Sequence, residues 1–138
     1  MKSYTIKEHT ADICVEFNGN SRHELFQSTA SALFDILYES KHTSQEIELS
    51  VTAEGFDIED LLISWLRELL YIGEVSNILL CEFIIDELSE TKLKARVRGE
   101  TYNPKKHSIR REIKAATYHD LKITEEDGKW MAVVVFDL

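Results

Sequence analysis

The 138-residue sequence has few of the features by which many protein classes are recognised. It contains one proline, five glycines and two cysteines. We find no repeat, low-complexity tract or Pro/Gly-rich linker, so we expect one domain over residues 1–138. No run approaches the ~18 apolar residues of a membrane span, and the first residues lack the apolar core of a signal peptide. Cys14 and Cys81 lack the paired spacing of zinc sites, so we expect two buried free thiols in a reducing cytoplasm.

The signatures of several enzyme classes are also missing. There is no glycine-rich phosphate loop, no HExxH, no nucleophile elbow and no paired CxxC. The net charge of −9 argues against strong binding of nucleic acid by the chain alone, because neutralisation of phosphates dominates such affinity. Classes that depend on these motifs or on a basic surface are therefore not expected.

The charge is nevertheless uneven along the chain. Residues 92–114, which we call the basic ribbon, contain nine basic and two acidic residues. Two interpretations are open. The ribbon is a docking surface for another macromolecule, RNA or protein, or its first four charges are the solvent-facing side of an alternating strand. Those four are Lys92, Lys94, Arg96 and Arg98.

Two segments have the apolar spacing of helices. Ser21 and Glu24 form a capping box in front of a helical pattern over about residues 22–38. Asp57 precedes a second helix with a wide apolar stripe, which we expect to end near Gly73. The stripe is typical of a core helix.

The rest of the chain reads mostly as short strands. Alternation predicts strands over residues 13–17, 46–52, 79–88, 92–98, 109–117, 121–124 and 130–136, and Asp127-Gly128 predicts a hairpin turn. Residues 101–108, which include Pro104, look like a loop. The fold class we expect is α+β: a mostly antiparallel sheet of about seven or eight strands packed with two amphipathic helices.

Two aspartates stand at the ends of apolar strand patterns. Asp12 opens the strand that contains Ile13, and Asp137 ends the row that contains Val133 and Val135. Each alone is explained by a turn or by a strand reaching solvent. If the two strands are neighbours, the carboxylates converge, and the α-carboxylate of Leu138 lies within reach. Oxygen ligands of this kind suit Ca²⁺, with Mg²⁺ or Mn²⁺ as alternatives.

Other polar residues also fall at strand ends. His9, Glu100 and His119 are candidates for contact with a partner, although a histidine beside a carboxylate more often orients it than acts as a base. Lys114 is either an outward lysine that alternates with inward Ile113, or a contact to an acidic or phosphate group of a partner.

Six segments of the sequence resemble the archease family, in the family's order and over essentially the whole chain. They are Glu8-His9-Thr10-Ala11-Asp12-Ile13, Ala32-Leu33-Phe34-Asp35-Ile36, the helix Asp60–Tyr71, Arg98-Gly99-Glu100, Ile113-Lys114-Ala115-Ala116-Thr117-Tyr118-His119 and Val133-Val134-Val135-Phe136-Asp137. The first, the third and the fifth together are specific, and any one alone would be a weak signal.

The resemblance implies a small cytoplasmic α+β protein that binds a divalent cation and is not an enzyme. It implies a cofactor of the RtcB-type RNA ligase, which joins RNA ends in tRNA splicing and RNA repair; archeases promote guanylylation of that ligase and allow multiple turnovers. An older proposal for the family is a chaperone-like modulator of tRNA methyltransferases. The family's functional acidic residues match Asp12 and Asp137, and its lysine matches Lys114.

Two rival functions remain at this stage. A metal-dependent hydrolase would use Asp12, His119 and Asp137, and would show phosphoesterase turnover by itself. A general chaperone or methyltransferase specificity factor would need an exposed apolar patch of several hundred Å².

Overall fold

The computed structural model describes residues 4–8, 11–40 and 43–138, which form two helices and nine strands. The helices are α1 (Arg22–Leu37) and α2 (Ile58–Glu74). The strands are β1 (Tyr4–Glu8), β2 (Asp12–Gly19), β3 (Tyr38–Ser40), β4 (Ile47–Glu54), β5 (Ile78–Leu88), β6 (Lys92–Thr101), β7 (His107–Ile109), β8 (Ala115–Glu126) and β9 (Lys129–Asp137).

The strands form three antiparallel sheets. One has four strands in the order β1-β2-β9-β8, one has three in the order β4-β6-β5, and β3 pairs with β7. This confirms the α+β class and the mostly antiparallel pairing. The count exceeds the expected seven or eight although the strands predicted over 109–117 and 121–124 are joined in the single strand β8. Among the strands without a predicted counterpart, β3 and β7 have only three residues each, too few to show alternation.

Local sequence explains where the helices begin. The Ser21 hydroxyl accepts from the Glu24 N–H at 3.0 Å, and the Asp57 carboxylate accepts from the Asp60 N–H at 2.8 Å, so each helix starts at a side chain that satisfies a free amide. Gly73 lies inside α2 and not beyond it. The helix ends one residue later.

The core lies where both helices meet the two larger sheets. α1 packs against β2 and β5, and α2 packs against β8 and β4. Trp65 of α2 is fully buried and donates its indole N–H to the Phe26 carbonyl of α1 at 3.0 Å. Neither helix is both long enough and apolar enough to cross a membrane, within the residues described.

Two predictions about local structure were wrong, one for a strand and one for the cysteines. Residues 110–114 are irregular and not part of a strand, and β8 begins only at Ala115. The two thiols are free but not buried: Cys14 is half-buried, and Cys81 is exposed because a register shift falls between Leu80 and Glu82. The hairpin at Asp127-Gly128 is confirmed, with positive φ at both residues.

Candidate functional site

Asp12 and Asp137 are directly opposite each other in the four-stranded sheet. They are register partners in the β2–β9 pair, so the adjacency assumed from sequence is confirmed. Their neighbours Ile13 and Phe136 are fully buried, and since side chains alternate along a strand, both aspartates project from the outer face. Asp12 is half-buried and Asp137 is exposed.

The hydrogen bonding sets the backbone spacing of Asp12 and Asp137. The Leu138 N–H donates to the Ala11 carbonyl at 3.0 Å, a bond that flanks a non-hydrogen-bonded pair at Asp12 and Asp137. In such pairs the Cα atoms are about 4.5 Å apart and the side chains approach most closely. Like charges placed directly opposite destabilise a strand pair. A cation between them would remove this repulsion.

Main-chain bonds hold two further predicted residues at the same rim. Leu138 is fixed by its bond to Ala11, and the Lys114 N–H donates to the Asp137 carbonyl at 2.8 Å. We call Asp12, Asp137, Leu138 and Lys114 the carboxylate rim. Lys114 is exposed while Ile113 is buried. The predicted outward position of Lys114 is therefore confirmed, although residue 114 lies outside the strand predicted to contain it.

The donor set at this rim fits a hard cation and not zinc. Among the described residues, no group of three or more His, Cys, Asp or Glu side chains is placed to hold a metal. Two carboxylates, main-chain oxygens and retained water are ligands for Ca²⁺, or for Mg²⁺, which keeps several waters. Donors of this kind would suit a hard cation, and the side chains described here would supply only part of its ligands.

Glu100 belongs to a different cluster, on β6 of the three-stranded sheet. It is 7% exposed and accepts from the Ser44 N–H and from Lys106 Nζ, the latter at 2.8 Å. His107 Nε2 is 3.7 Å from its other side. The Lys106 and Ser44 bonds lower the pKa of Glu100. Its contacts join three segments of the chain.

The histidines predicted for partner contact are not gathered at the rim. His9 lies outside the described residues. His119 is exposed and stands 3.2 Å from the Asp120 carboxylate, in a stretch where the β8–β9 register shifts between Thr117 and Lys122. The segment 113–119, which resembles the archease family, therefore has two separate parts. Lys114 lies at the rim, and His119 lies in the bulge farther along β8.

Sequence reasoning missed the contact that holds this bulge. The Tyr118 hydroxyl donates to Asp60 of α2 at 2.5 Å, and the Arg67 guanidinium lies 5.0 Å from the centre of the Tyr118 ring. The hydrogen bond from Tyr118 lowers the pKa of Asp60. The positive φ of Asp120 has no sequence signal except its residue type, since aspartate tolerates that region.

The basic ribbon is partly neutralised within the three-stranded sheet. Arg96 pairs with Asp86 at 2.9 Å, and Arg98 pairs with Glu48 at 2.8 Å and Glu82 at 2.9 Å. These pairs raise the pKa of both arginines and lower that of Asp86. For these two arginines, the interpretation as solvent-facing residues of an alternating strand is sufficient, because their charges are paired within the same sheet.

Comparison with known proteins identifies the family. The family model described as the archease protein family (MTH1598/TM1083) matches residues 4–138. Protein archease of Pyrococcus abyssi is 40% identical and that of Pyrococcus furiosus 37% identical, each over 100% of both chains.

Solved structures agree with this match. The solution structure of Methanobacterium thermoautotrophicum protein 1598 superposes with a TM-score of 0.78 at 32% identity, over 100% of both chains. The crystal structure of a Thermotoga maritima archease, described as a possible chaperone, gives a TM-score of 0.61 at 27% identity, over 96% of this chain and 94% of that one. The chain belongs to the archease family.

Proposed function

We propose that this protein is a cytoplasmic, metal-binding protein cofactor of an RtcB-type RNA ligase, without a reaction of its own. The observation that carries the proposal is the directly opposed pair of Asp12 and Asp137 on an outer sheet face. A metal-binding role accounts for two acidic residues that folding does not require. It also explains why two like charges are directly opposite each other, because a divalent cation would join them.

The ligands of the cation in this proposal are the two carboxylates and a main-chain oxygen of Leu138, with water completing the shell. Ca²⁺ accepts six to eight oxygen ligands in flexible geometry, so it suits a shell that is only partly protein; Mg²⁺ and Mn²⁺ are the alternatives. When bound, the ion would supply positive charge for phosphate oxygens. Lys114 at the same rim would contact an acidic or phosphate group of the partner.

The position of the rim supports action on a partner enzyme. Asp137 and Lys114 are exposed, so the rim can enter a concave site on another protein. A ligase that accepts GMP on a histidine needs metal ions that bridge phosphates. The carboxylate rim would help to order metal and nucleotide during guanylylation, and so permit repeated turnovers in tRNA splicing and RNA repair.

The test is the rate of ligase guanylylation and the number of turnovers, measured with and without the purified protein. We expect stimulation by the wild type to be lost in Asp12→Ala and Asp137→Ala, and to be lost on removal of divalent cations. Glu16→Ala is the matched control, because Glu16 lies on the same face of β2 opposite Val133. Full stimulation by either aspartate variant would refute the metal rim.

The alternative function is a chaperone-like modulator of a tRNA methyltransferase. The related Thermotoga protein is described as a possible chaperone, and this chain exposes several large apolar side chains, including Tyr71, Val75 and Ile109. Copurification from native cells separates the two functions. The ligase proposal requires an RNA ligase among the stable partners, and the alternative requires a methyltransferase.

A further inference from the structure

Phe56 is the most exposed large hydrophobic residue among those described, at 95%. It stands immediately before Asp57, which caps the start of α2. A hydrophobic residue at this position often packs against the fourth residue of the helix, which here is Leu61. Leu61 is fully buried, and a ring that is almost wholly exposed does not cover it. Phe56 therefore has no packing role at the start of α2.

The backbone of Phe56 is held in place although its ring is exposed. The Phe56 N–H donates to one carboxylate oxygen of Asp60 at 2.9 Å, and the Tyr118 hydroxyl donates to the other at 2.5 Å. Tyr118 is also exposed, so one carboxylate joins two exposed aromatic residues. A backbone that is already fixed loses little conformational entropy when a partner binds, which favours affinity.

One of these two aromatic residues already has a cation on its ring. The Arg67 guanidinium lies 5.0 Å from the centre of the Tyr118 ring, whose hydroxyl is bonded to Asp60. The negative face of the ring attracts the cation, and the carboxylate adds a charge of opposite sign. Phe56 stands beside the same carboxylate, and its ring has no cation over it within the part of the chain that the structure describes. Phe56 therefore offers the same combination of groups to a cation from another molecule.

The charges around Phe56 are predominantly negative. Between Lys41 and Arg67 the sequence has six acidic residues and no basic one, and four of the six are within four residues of Phe56: Glu54, Asp57, Glu59 and Asp60. We call Phe56 and these four residues the acidic aromatic patch. Two basic groups approach it, since Arg67 lies over Tyr118 and Lys92 is opposite Glu54 in the β4–β6 pair. Four carboxylates against two basic groups leave a negative surface, and the partial positive charge at a helix start, about half a unit, does not reverse its sign.

We propose that the acidic aromatic patch is an interaction surface for an arginine side chain of a protein partner. The guanidinium group stacks on the Phe56 ring and pairs with the adjacent Asp57. Arginine suits this surface better than lysine, because its guanidinium group is planar, weakly hydrated and able to stack on an aromatic face. The excess of carboxylates disfavours the phosphates of RNA. This inference goes beyond the proposed function and does not depend on the carboxylate rim.

The experiment is an NMR titration of the isotope-labelled protein with a nine-residue Gly/Ser peptide that contains three arginines. It is carried out in EDTA and at low salt, so that a metal at the rim does not contribute. We expect the ring signals of Phe56 and the amide signals of the first turn of α2 to shift, and the shifts to weaken as salt is added. A peptide with lysines in place of the arginines should bind more weakly, and one with leucines should leave these signals unchanged.

Variants separate the ring from the charge. Phe56→Leu keeps an apolar side chain but removes the aromatic face, and we expect its Kd to rise about threefold, whereas Phe56→Trp should bind at least as tightly as the wild type. Asp57→Asn removes one charge but keeps the helix cap, because asparagine caps as well as aspartate, and its Kd should rise about twofold. The control is Val75→Ala, exposed at the other end of α2, whose Kd should not change. Thermal unfolding establishes that each variant is folded.

Four results would overturn the inference. If Phe56→Leu binds the arginine peptide as tightly as the wild type, the ring does not contribute. If the leucine peptide binds equally well, the surface is an apolar contact and does not recognise a cation. Signals that shift only elsewhere in the protein would place the arginine at another site. A single-stranded RNA oligonucleotide that shifts the Phe56 signals when the arginine peptide does not would assign the patch to a nucleobase.

Discussion

At the scale of single residues, Gly99 is the most tightly constrained of the five glycines. A Cβ atom built there would stand 2.1 Å from the Leu79 carbonyl oxygen and 2.8 Å from the Leu80 Cα. Both neighbours are backbone atoms of β5, next to the register shift that leaves Cys81 outside the regular pairing. The two strands therefore approach too closely at this point for any side chain.

We predict that Gly99→Ala destabilises the protein by about 3 kcal/mol, the upper end of the usual cost of overpacking, because backbone cannot move aside as a side chain can. Denaturant unfolding measures the loss. The control is Gly73→Ala, whose Cβ would meet the Tyr38 hydroxyl at 3.3 Å and which gains about 0.5–1 kcal/mol of helix preference. Equal stability of Gly99→Ala and wild type would show that β5 shifts freely.

Single residues also show what sequence can and cannot reveal. Asp12 and Asp137 were found because each interrupts an apolar alternation at a strand end, where a carboxylate has no packing role. The prediction that Cys81 is buried was wrong because alternation assumes a regular strand, and a bulge moves a residue without changing the pattern. The contact of Tyr118 with Asp60 joins residues 58 positions apart, and no local pattern contains it.

At the scale of elements, the Glu100 cluster joins β6 to residue 44 and to the segment that leads into β7. Glu100 accepts from the Ser44 N–H and from Lys106 Nζ. His107, which is buried, accepts from the Asn103 N–H through Nδ1 at 3.0 Å. Sequence placed residues 101–108 in a loop and could not show this anchorage, because it depends on one carboxylate reached from two distant segments.

This cluster predicts part of the pH dependence of stability. The Lys106 and Ser44 bonds hold the pKa of Glu100 below its ordinary value of 4.5, so its contribution is fully present above that pH and is lost as the pH falls through the lower pKa of the folded state. We expect Glu100→Gln to be less stable at neutral pH and to lose less stability below about pH 4.5. Denaturant unfolding from pH 3 to 7 measures both effects.

The control for this prediction is Glu46→Gln, at an exposed position outside the helices and strands. It should keep the wild-type dependence on pH. If Glu100→Gln follows the wild-type curve in acid, the carboxylate is not held by its neighbours as the geometry indicates.

The element that sequence placed least well is segment 110–114. Its residues alternate, with Ile113 buried and its neighbours Glu112 and Lys114 exposed, which is the pattern of a strand. None of the described strands pairs with it, since its amides bond to the end of α1 and to the end of β9. An alternating pattern indicates which side chains are buried, but it does not indicate which groups the backbone N–H and C=O form hydrogen bonds with.

At the scale of the whole molecule, a cation at the carboxylate rim would connect β2 to β9. Binding that occurs only in the folded state stabilises it, by about 2.7 kcal/mol at a ligand concentration of 100 times Kd. We predict that Ca²⁺ raises the thermal unfolding midpoint of the wild type, and that Asp12→Ala and Asp137→Ala abolish the rise. Glu16→Ala should keep it. An equal rise in all four proteins would place the ion elsewhere.

The class of fold was predictable at this scale, and the arrangement of the sheets was not. Helical and alternating apolar patterns correctly indicated two helices and antiparallel strands. The strand order β1-β2-β9-β8 depends on which apolar faces cover α1 and α2 best, and several orders share the same pattern of burial. The carboxylate pair could therefore be suggested from sequence, but only the order of strands brings its two halves together.

The central position of β9 has a consequence for synthesis on the ribosome. Strand β9 separates β2 from β8, so until β9 emerges the four-stranded sheet consists of two parts with unpaired edges. Asp12 is made early and Asp137 roughly 125 residues later, and such distant pairing forms late. A nascent chain that still lacks β9 cannot present the carboxylate pair, so it cannot engage a partner through that pair.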